Sequence, residues 1–224
     1  MEMAVKTKNR ITELQDESPE RENGRAGKTK SVQLMSLKPE RSIFTITGIS
    51  PLIVHAWGGK AIRMIEDKQQ KKGKQPKEAK DPEAEMASCF YPRSGKKHTI
   101  PAAAIKAAIV SAATSLDDKI NFSQKKIKQA IFVVGDMLEL DASEPKMRTD
   151  MVRVGGMSKS ADVRYRPMFE KWSCSFQVDY NASIYSAEQV AQLIEVAGFA
   201  VGICEWRPER GGSFGRFTLQ RKAG

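Results

Sequence analysis

Two histidines and three cysteines are the only imidazole and thiol ligands that this chain of 224 residues offers a transition metal. Cys89, Cys174 and Cys204 lie far apart, and with only His55 and His98 beside them they make no zinc-ligand spacing. An odd, scattered set of cysteines also argues against a disulfide framework. Cys174 and Cys204 read instead as fillers of apolar positions in a reducing cytoplasm. No apolar run of about eighteen residues occurs, which removes the usual transmembrane helix. The N-terminus, Met1-Glu-Met-Ala-Val-Lys6, lacks the apolar centre of a secretory signal. Motifs that cradle nucleotides or activate nucleophiles are missing too: no Walker loop, dinucleotide fingerprint, His-Glu-x-x-His metal site or nucleophile elbow. The expectation is a cytoplasmic protein with no membrane attachment, no cofactor and no metal, and with few side chains suited to catalysis.

What the chain does have is positive charge. Its formal net charge is +10 and its isoelectric point about 9.5, a balance that favours polyanions. Apolar residues make up 40%, enough to bury a real core. Residues 1–40 hold no aromatic side chain and are rich in Lys, Glu, Asn, Gln and Gly. Such a segment buries too little apolar area to offset its ordering entropy, so it reads as a disordered tail. It carries eight basic and seven acidic residues, and the excess therefore belongs to residues 41–222, read as one folded domain.

Along that domain, Ser42-Ile-Phe-Thr-Ile-Thr47 alternates like a first strand. A helix over Lys60–Lys72 and a second starting at Asp81-Pro82 follow, separated by a lysine-rich stretch. Pro101 opens a stronger helix with Ile105, Ala108, Ile109, Ala112 and Leu116 on one face. Ala130–Val134 and Met137–Leu140 make a bent second strand, and Trp172, Cys174, Phe176 and Val178 alternate in a third. Ser186 and Gln189 form a capping box for a last helix buried through Val190, Leu193, Ile194, Ala197 and Val201. Phe214–Leu219 is the final strand. Without its insertions, at about 50–98 and 141–168, the order is that of an α+β, ferredoxin-like βαββαβ core.

Three stretches carry candidate chemistry. Between the last helix and last strand, Trp206, Arg207, Arg210, Gly211, Gly212, Ser213 and Arg216 suit phosphate and base contact. Arginine forks match phosphate oxygens, and glycines let backbone N–H groups approach them. Trp206 can stack on a base or cap the core beneath the loop. Glu205 and Glu209 are set to pair with the arginines. In the second insertion Arg148, Arg153, Lys159, Arg164 and Arg166 flank a hairpin tipped by Gly155-Gly156. Lys60 opens a third basic stretch whose lysines attract polyanions with little geometry. The open face of the sheet, with Ser173, Ser175, Gln177, Thr45 and Thr47, offers bases little to stack on, unlike aromatic RNA-binding sheets. His55 is the one weak catalytic candidate, a general base for RNA cleavage with no carboxylate tied to it in the sequence.

Four stretches give the chain a resemblance: Ser50-Pro-Leu-Ile-Val-His-Ala-Trp57, Met147-Arg-Thr-Asp-Met-Val-Arg153, Ala161-Asp-Val-Arg-Tyr-Arg-Pro167, and Gly198-Phe-Ala-Val-Gly202 through Phe217. In these the sequence resembles a widespread family of small phage and prophage proteins. In layout it is also similar to the RAMP proteins of CRISPR systems, above all the backbone subunit that coats guide RNA. Gly211-Gly-Ser-Phe-Gly215 stands where those proteins carry a glycine-rich loop, and Met147–Arg166 where they carry a thumb-like insertion. The resemblance implies units lined along single-stranded nucleic acid, with self-association into a homo-oligomer or filament, in the cytoplasm of a bacterial host.

The residues and the resemblance together lead to non-catalytic binding of single-stranded DNA or RNA, in phage replication, recombination or interference with defence. Two other roles fit the same residues. One is an RNA endonuclease using His55; the other is an inhibitor that occupies a host protein.

Overall fold

The structure, a computed structural model, describes residues 36–70, 79–116, 121–154 and 160–220, all within one compact unit. Residues 1–35 of the expected 1–40 tail and the expected Gly155-Gly156 tip lie outside the described residues, whereas Pro39 and Glu40, assigned to that tail, open the first strand by pairing with Asn181 and Tyr180. Strand β1 (Pro39–Gly48) leads to a two-residue strand β2 (Leu52–Ile53). Helix α1 (Gly59–Gln69) and helix α2 (Pro82–Ser88) follow, the latter capped by the Asp81 carboxylate, which accepts from the N–H groups of Glu83 and Ala84. Strand β3 (His98–Pro101) runs straight into α3 (Ala102–Ala112). Then come α4 (Gln124–Ala130), β4 (Ile131–Val133) and β5 (Met137–Ala142). A long hairpin of β6 (Lys146–Val154) and β7 (Ser160–Phe169) precedes β8 (Trp172–Asn181). Helix α5 (Ala187–Val196) and strand β9 (Phe217–Leu219) complete the order.

This is an α+β fold. In the main sheet β1 lies between β8 and β9, and β4 and β5 both pair with β8, every pairing antiparallel. The expected bent strand is two strands on one flank of β8, broken at Gly135 with φ 95°. In the terms of the sequence reading the strands lie second, third, first, fourth. Strand β3, not foreseen, adds to the free side of β5. The last strand is shorter than expected, because residues 214–216 belong to the loop before it.

Helices α3 and α5 cover one face of the sheet with Ile105, Ala108, Ile109, Ala112, Val190, Leu193 and Ile194, all buried against Ile46, Trp172, Cys174, Phe176 and Val178. The Ser186–Gln189 capping box is present, and α5 widens into a π turn over Ala197–Val201. Leu116 lies beyond α3 and packs on the core only in part. Helix α4 was not read from the sequence; Ser123 caps it, and Ile127 and Ala130 are its buried residues. Cys174 is buried in the core, and burial pushes its thiol up to about 12, so it stays protonated.

The two insertions meet. Leu52 and Ile53 pair with Phe169 and Met168, so β2 joins the hairpin in a second, three-stranded sheet of order β2-β7-β6. The excursion expected after β5 is therefore an ordered element that the first insertion holds against the body.

Candidate nucleic-acid interface

The segment 48–53 is the strap on which the C-terminal loop is built. Gly48 lies against the Trp172 ring, and the Trp172 indole N–H donates to the Ser50 carbonyl at 2.9 Å. The loop fastens to this strap by its backbone. Gly215 donates to Pro51 O, Glu205 to Ile53 O, and Arg216 O accepts from Ile49. It also closes on itself: Ile203 donates to Gly215 O, Phe214 to Trp206 O, Gly212 to Arg207 O, and Gly211 to Pro208 O.

This bonding corrects one expectation. The N–H groups of Gly211, Gly212 and Gly215 point inward to carbonyls and do not stand exposed for a phosphate. Gly212 and Gly215 are there because no Cβ fits. A Cβ would stand 1.8 Å from Trp206 O and 2.0 Å from Ile203 O, respectively. The same folding forces Cys204 and Trp206 to positive φ, 62° and 53°. Such left-handed conformations in non-glycine residues cost of order 1 kcal/mol each and gather at functional sites.

What the loop presents outward is side chains. Trp206 is 43% exposed, so it does not cap the core beneath the loop. Arg210 and Ser213 are exposed. Arg216 lies over the Phe199 ring, itself 69% exposed. Arg207 is tied down, donating to the Glu209 carboxylate and to Cys204 O.

The hairpin brings one cation to the loop. Arg148 lies over the ring of Phe214. Its Nε donates to the Asp150 carboxylate at 2.9 Å, and Arg166 approaches the other oxygen of that carboxylate at 3.4 Å. Arg166 is buried, at 7% exposure, and among the described residues its Nε has no hydrogen-bond partner. It therefore serves as a structural counter-ion to buried Asp150, and it is removed from the set of surface phosphate contacts. Arg164 pairs with Asp162, whose carboxyl is held below its usual range first by the Lys80 ammonium. Arg153 is exposed near the end of β6. Lys159 lies outside the described residues, and Lys60 sits in the first turn of α1.

His55 has a partner that the sequence did not reveal. Its Nδ1 lies 3.4 Å from the Glu205 carboxylate, which this contact, ahead of the charges of Arg166 and Arg207, holds below the usual range. Tyr91 donates its hydroxyl to the His55 carbonyl at 3.5 Å, and burial pushes its phenol up to about 12. Glu205 thus pairs with a histidine rather than with the loop arginines, while Glu209 does pair with Arg207 as expected. No local spacing signals a contact between residues 150 positions apart; only the β2–β7 pairing and the strap bring them together. Beside Glu205 a cavity of about 220 Å³ opens between Tyr91, Ala104, Ala107, Arg207 and Glu209. Among the described residues no group of three or more His, Cys, Asp or Glu side chains is placed to hold a metal, and no helix is long and apolar enough to cross a membrane.

No protein-family model and no curated protein matches the chain. Among solved structures, the crystal structure of Cmr6 from Pyrococcus furiosus aligns over 83% of this chain and 100% of its own, with 11% identity and a TM-score of 0.42. A chain in the cryo-EM structure of the Type III-B Cmr-beta bound to cognate target RNA aligns over 81% of this chain, with 8% identity and a TM-score of 0.51. The present chain spans 59% of that longer one. At this level of identity the second likeness is one of fold.

Proposed function

We propose that the protein binds single-stranded nucleic acid without cleaving it, RNA being the first ligand to test, on a ferredoxin-like core of the RAMP type. One observation carries this reading: Arg148 of the hairpin and Phe214 of the C-terminal loop lie in contact. A cation of the hairpin and an aromatic ring of the loop, from separate stretches of chain, thus meet. Arg148, Arg153, Arg210 and Arg216 bind phosphates, Ser213 adds a hydroxyl, and Trp206 stacks on a base. Backbone charge then gives most of the affinity, with little preference for sequence. The shared fold with a chain of an RNA-bound structure supports the choice of RNA. The proposal extends to copies lined along one strand, in phage replication, recombination or interference with defence, and there it rests on the family resemblance.

The test is a binding panel of single- and double-stranded DNA and RNA over a range of salt. Replacing Arg153, Arg210 and Arg216 together by Ala is expected to weaken binding at least tenfold and flatten the log–log salt slope by about 2–3. A folded triple variant with unchanged affinity and slope would overturn the assignment.

The His55–Glu205 contact favours a second reading, cleavage of RNA with His55 as general base and Glu205 orienting its ring. If the wild-type protein cuts RNA and His55→Ala cuts it equally fast, that role is gone.

A further inference from the structure

The three-stranded sheet has one covered edge and one open edge. On the covered side, Val54 donates to Pro167 O at 3.2 Å, continuing the β2–β7 pairing. Along a strand the backbone groups of alternate residues face the same way, so Tyr165 and Val163 also turn toward that side. Their carbonyls are occupied: Val163 O accepts from the Lys80 ammonium and Tyr165 O from the Cys89 thiol.

This phase fixes β6. Met147, Thr149 and Met151 stand opposite Pro167, Tyr165 and Val163. These are the non-hydrogen-bonded pairs, whose backbone N–H and C=O groups point away from each other. Proline, with no N–H to give, fits that position. The outward groups of Met147, Thr149 and Met151 therefore form a free edge, and among the described residues no backbone group pairs with them. The strand is 9 residues long and carries no proline, one of the usual means of blunting an edge. Its outer face shows Met147 at 41% exposure and Met151 at 79%.

We propose that this edge pairs with β6 of a second copy of the chain, antiparallel, about a two-fold axis through Thr149. The sequence of the strand selects both partner and register. Antiparallel self-pairing that joins the outward groups can centre on Arg148, Thr149, Asp150 or Met151, and centring on Met151 sets Asp150 opposite Val152 and pairs no opposite charges. Centring on Arg148 or on Asp150 sets that residue opposite itself, and like charges directly opposed are destabilising. Centring on Thr149 sets Arg148 opposite Asp150 of the second copy and Met147 opposite Met151, with Thr149 facing its own equivalent. The charges that would discourage a foreign strand thus accept this one. About six backbone hydrogen bonds close the joint. Because the same patch serves both copies, the contact is isologous and stops at a dimer. It does not rest on nucleic-acid binding.

The test measures the mass of the full chain against concentration. Wild type is expected to dimerise reversibly, and Thr149→Cys to form a disulfide-linked dimer on oxidation. Hydrogen-bonded antiparallel neighbours hold their Cα atoms about 5.5 Å apart, within disulfide reach. Thr149→Pro removes only an outward N–H, so it is expected to fold and remain monomeric. A wild type that is monomeric at every concentration reached would overturn the proposal. So would a dimer that survives Thr149→Pro, or one whose Thr149→Cys form does not cross-link. If Thr149→Pro fails to fold by circular dichroism, Met151→Lys takes its place and should weaken dimerisation about tenfold; an unchanged dimer would then count against the joint. A dimer that binds no oligonucleotide leaves this proposal standing and removes only the nucleic-acid reading.

Discussion

The guanidinium of Arg148 rests over the ring of Phe214, 4.6 Å from its centroid. It joins the hairpin to the C-terminal loop at a point where neither has a backbone hydrogen bond to the other among the described residues. A cation over an aromatic face at a partly exposed site contributes about 0.5–1 kcal/mol.

That coupling is measurable. Phe214→Leu keeps an apolar side chain but removes the ring, and Arg148→Met keeps the stem but removes the charge. In a double-mutant cycle followed by urea unfolding, the pair is expected to show a coupling of about 0.5–1 kcal/mol. Zero coupling would mean that the contact leaves hairpin and loop energetically independent.

The loop glycines are predicted to differ by position rather than by type. At Gly215 both φ, 65°, and a carbonyl 2.0 Å from the missing Cβ exclude a side chain. Gly211 has φ 77° but open space around it. Gly215→Ala should therefore cost about 3 kcal/mol or more, and Gly211→Ala about 1 kcal/mol. Equal losses in denaturant melts would show that backbone conformation, not close packing, sets the loop.

Ion pairs of the two elements should separate as sharply. Asp150, with its side chain 8% exposed, faces Arg166 at 9%. Asp150→Ala leaves a buried guanidinium without its anion, a loss of about 3–5 kcal/mol. Glu209→Ala breaks a partly exposed pair with Arg207 and should cost about 1 kcal/mol or less. A mild Asp150→Ala would mean that water reaches the hairpin's inner face.

Much of this was legible in the sequence, and the remainder has a common cause. The alternation of Trp172, Cys174, Phe176 and Val178, the Ser186–Gln189 box and the Asp81-Pro82 start are local signals, and each appears where its pattern places it. Basic residues of the hairpin and loop could be selected from composition. Which of them remain free could not. Burial of Arg166 depends on Asp150 across the hairpin, and the tie on Glu205 depends on His55 from the strap. Likewise the loop glycines looked like phosphate ligands until their N–H groups found carbonyls at Arg207, Pro208 and Pro51. Short strands such as β2 have no periodicity to read; Leu52 and Ile53 became a strand only by meeting Phe169 and Met168.

Lys106 supplies a pH signature. Its ammonium donates to the carbonyls of Ile127 and Lys128 at the end of α4 and lies over the Phe132 ring, and burial lowers its pKa from 10.5 to about 8. Below about 8 the group is charged in folded and unfolded chains alike, and the burial penalty on that charge opposes folding. Between about 8 and 10.5 the folded chain loses the proton first. The unfolded state then binds more protons, and this group makes stability rise with pH. Cys174 and Cys204, raised from 9.0 to about 12, act in the opposite sense as pH climbs past the unfolded value. A comparison with Lys106→Met cancels those thiols. Measured by urea unfolding at several pH values, wild-type stability should rise relative to the variant across this window. A difference that stays flat would show that the amine keeps its ordinary pKa and that water still solvates it.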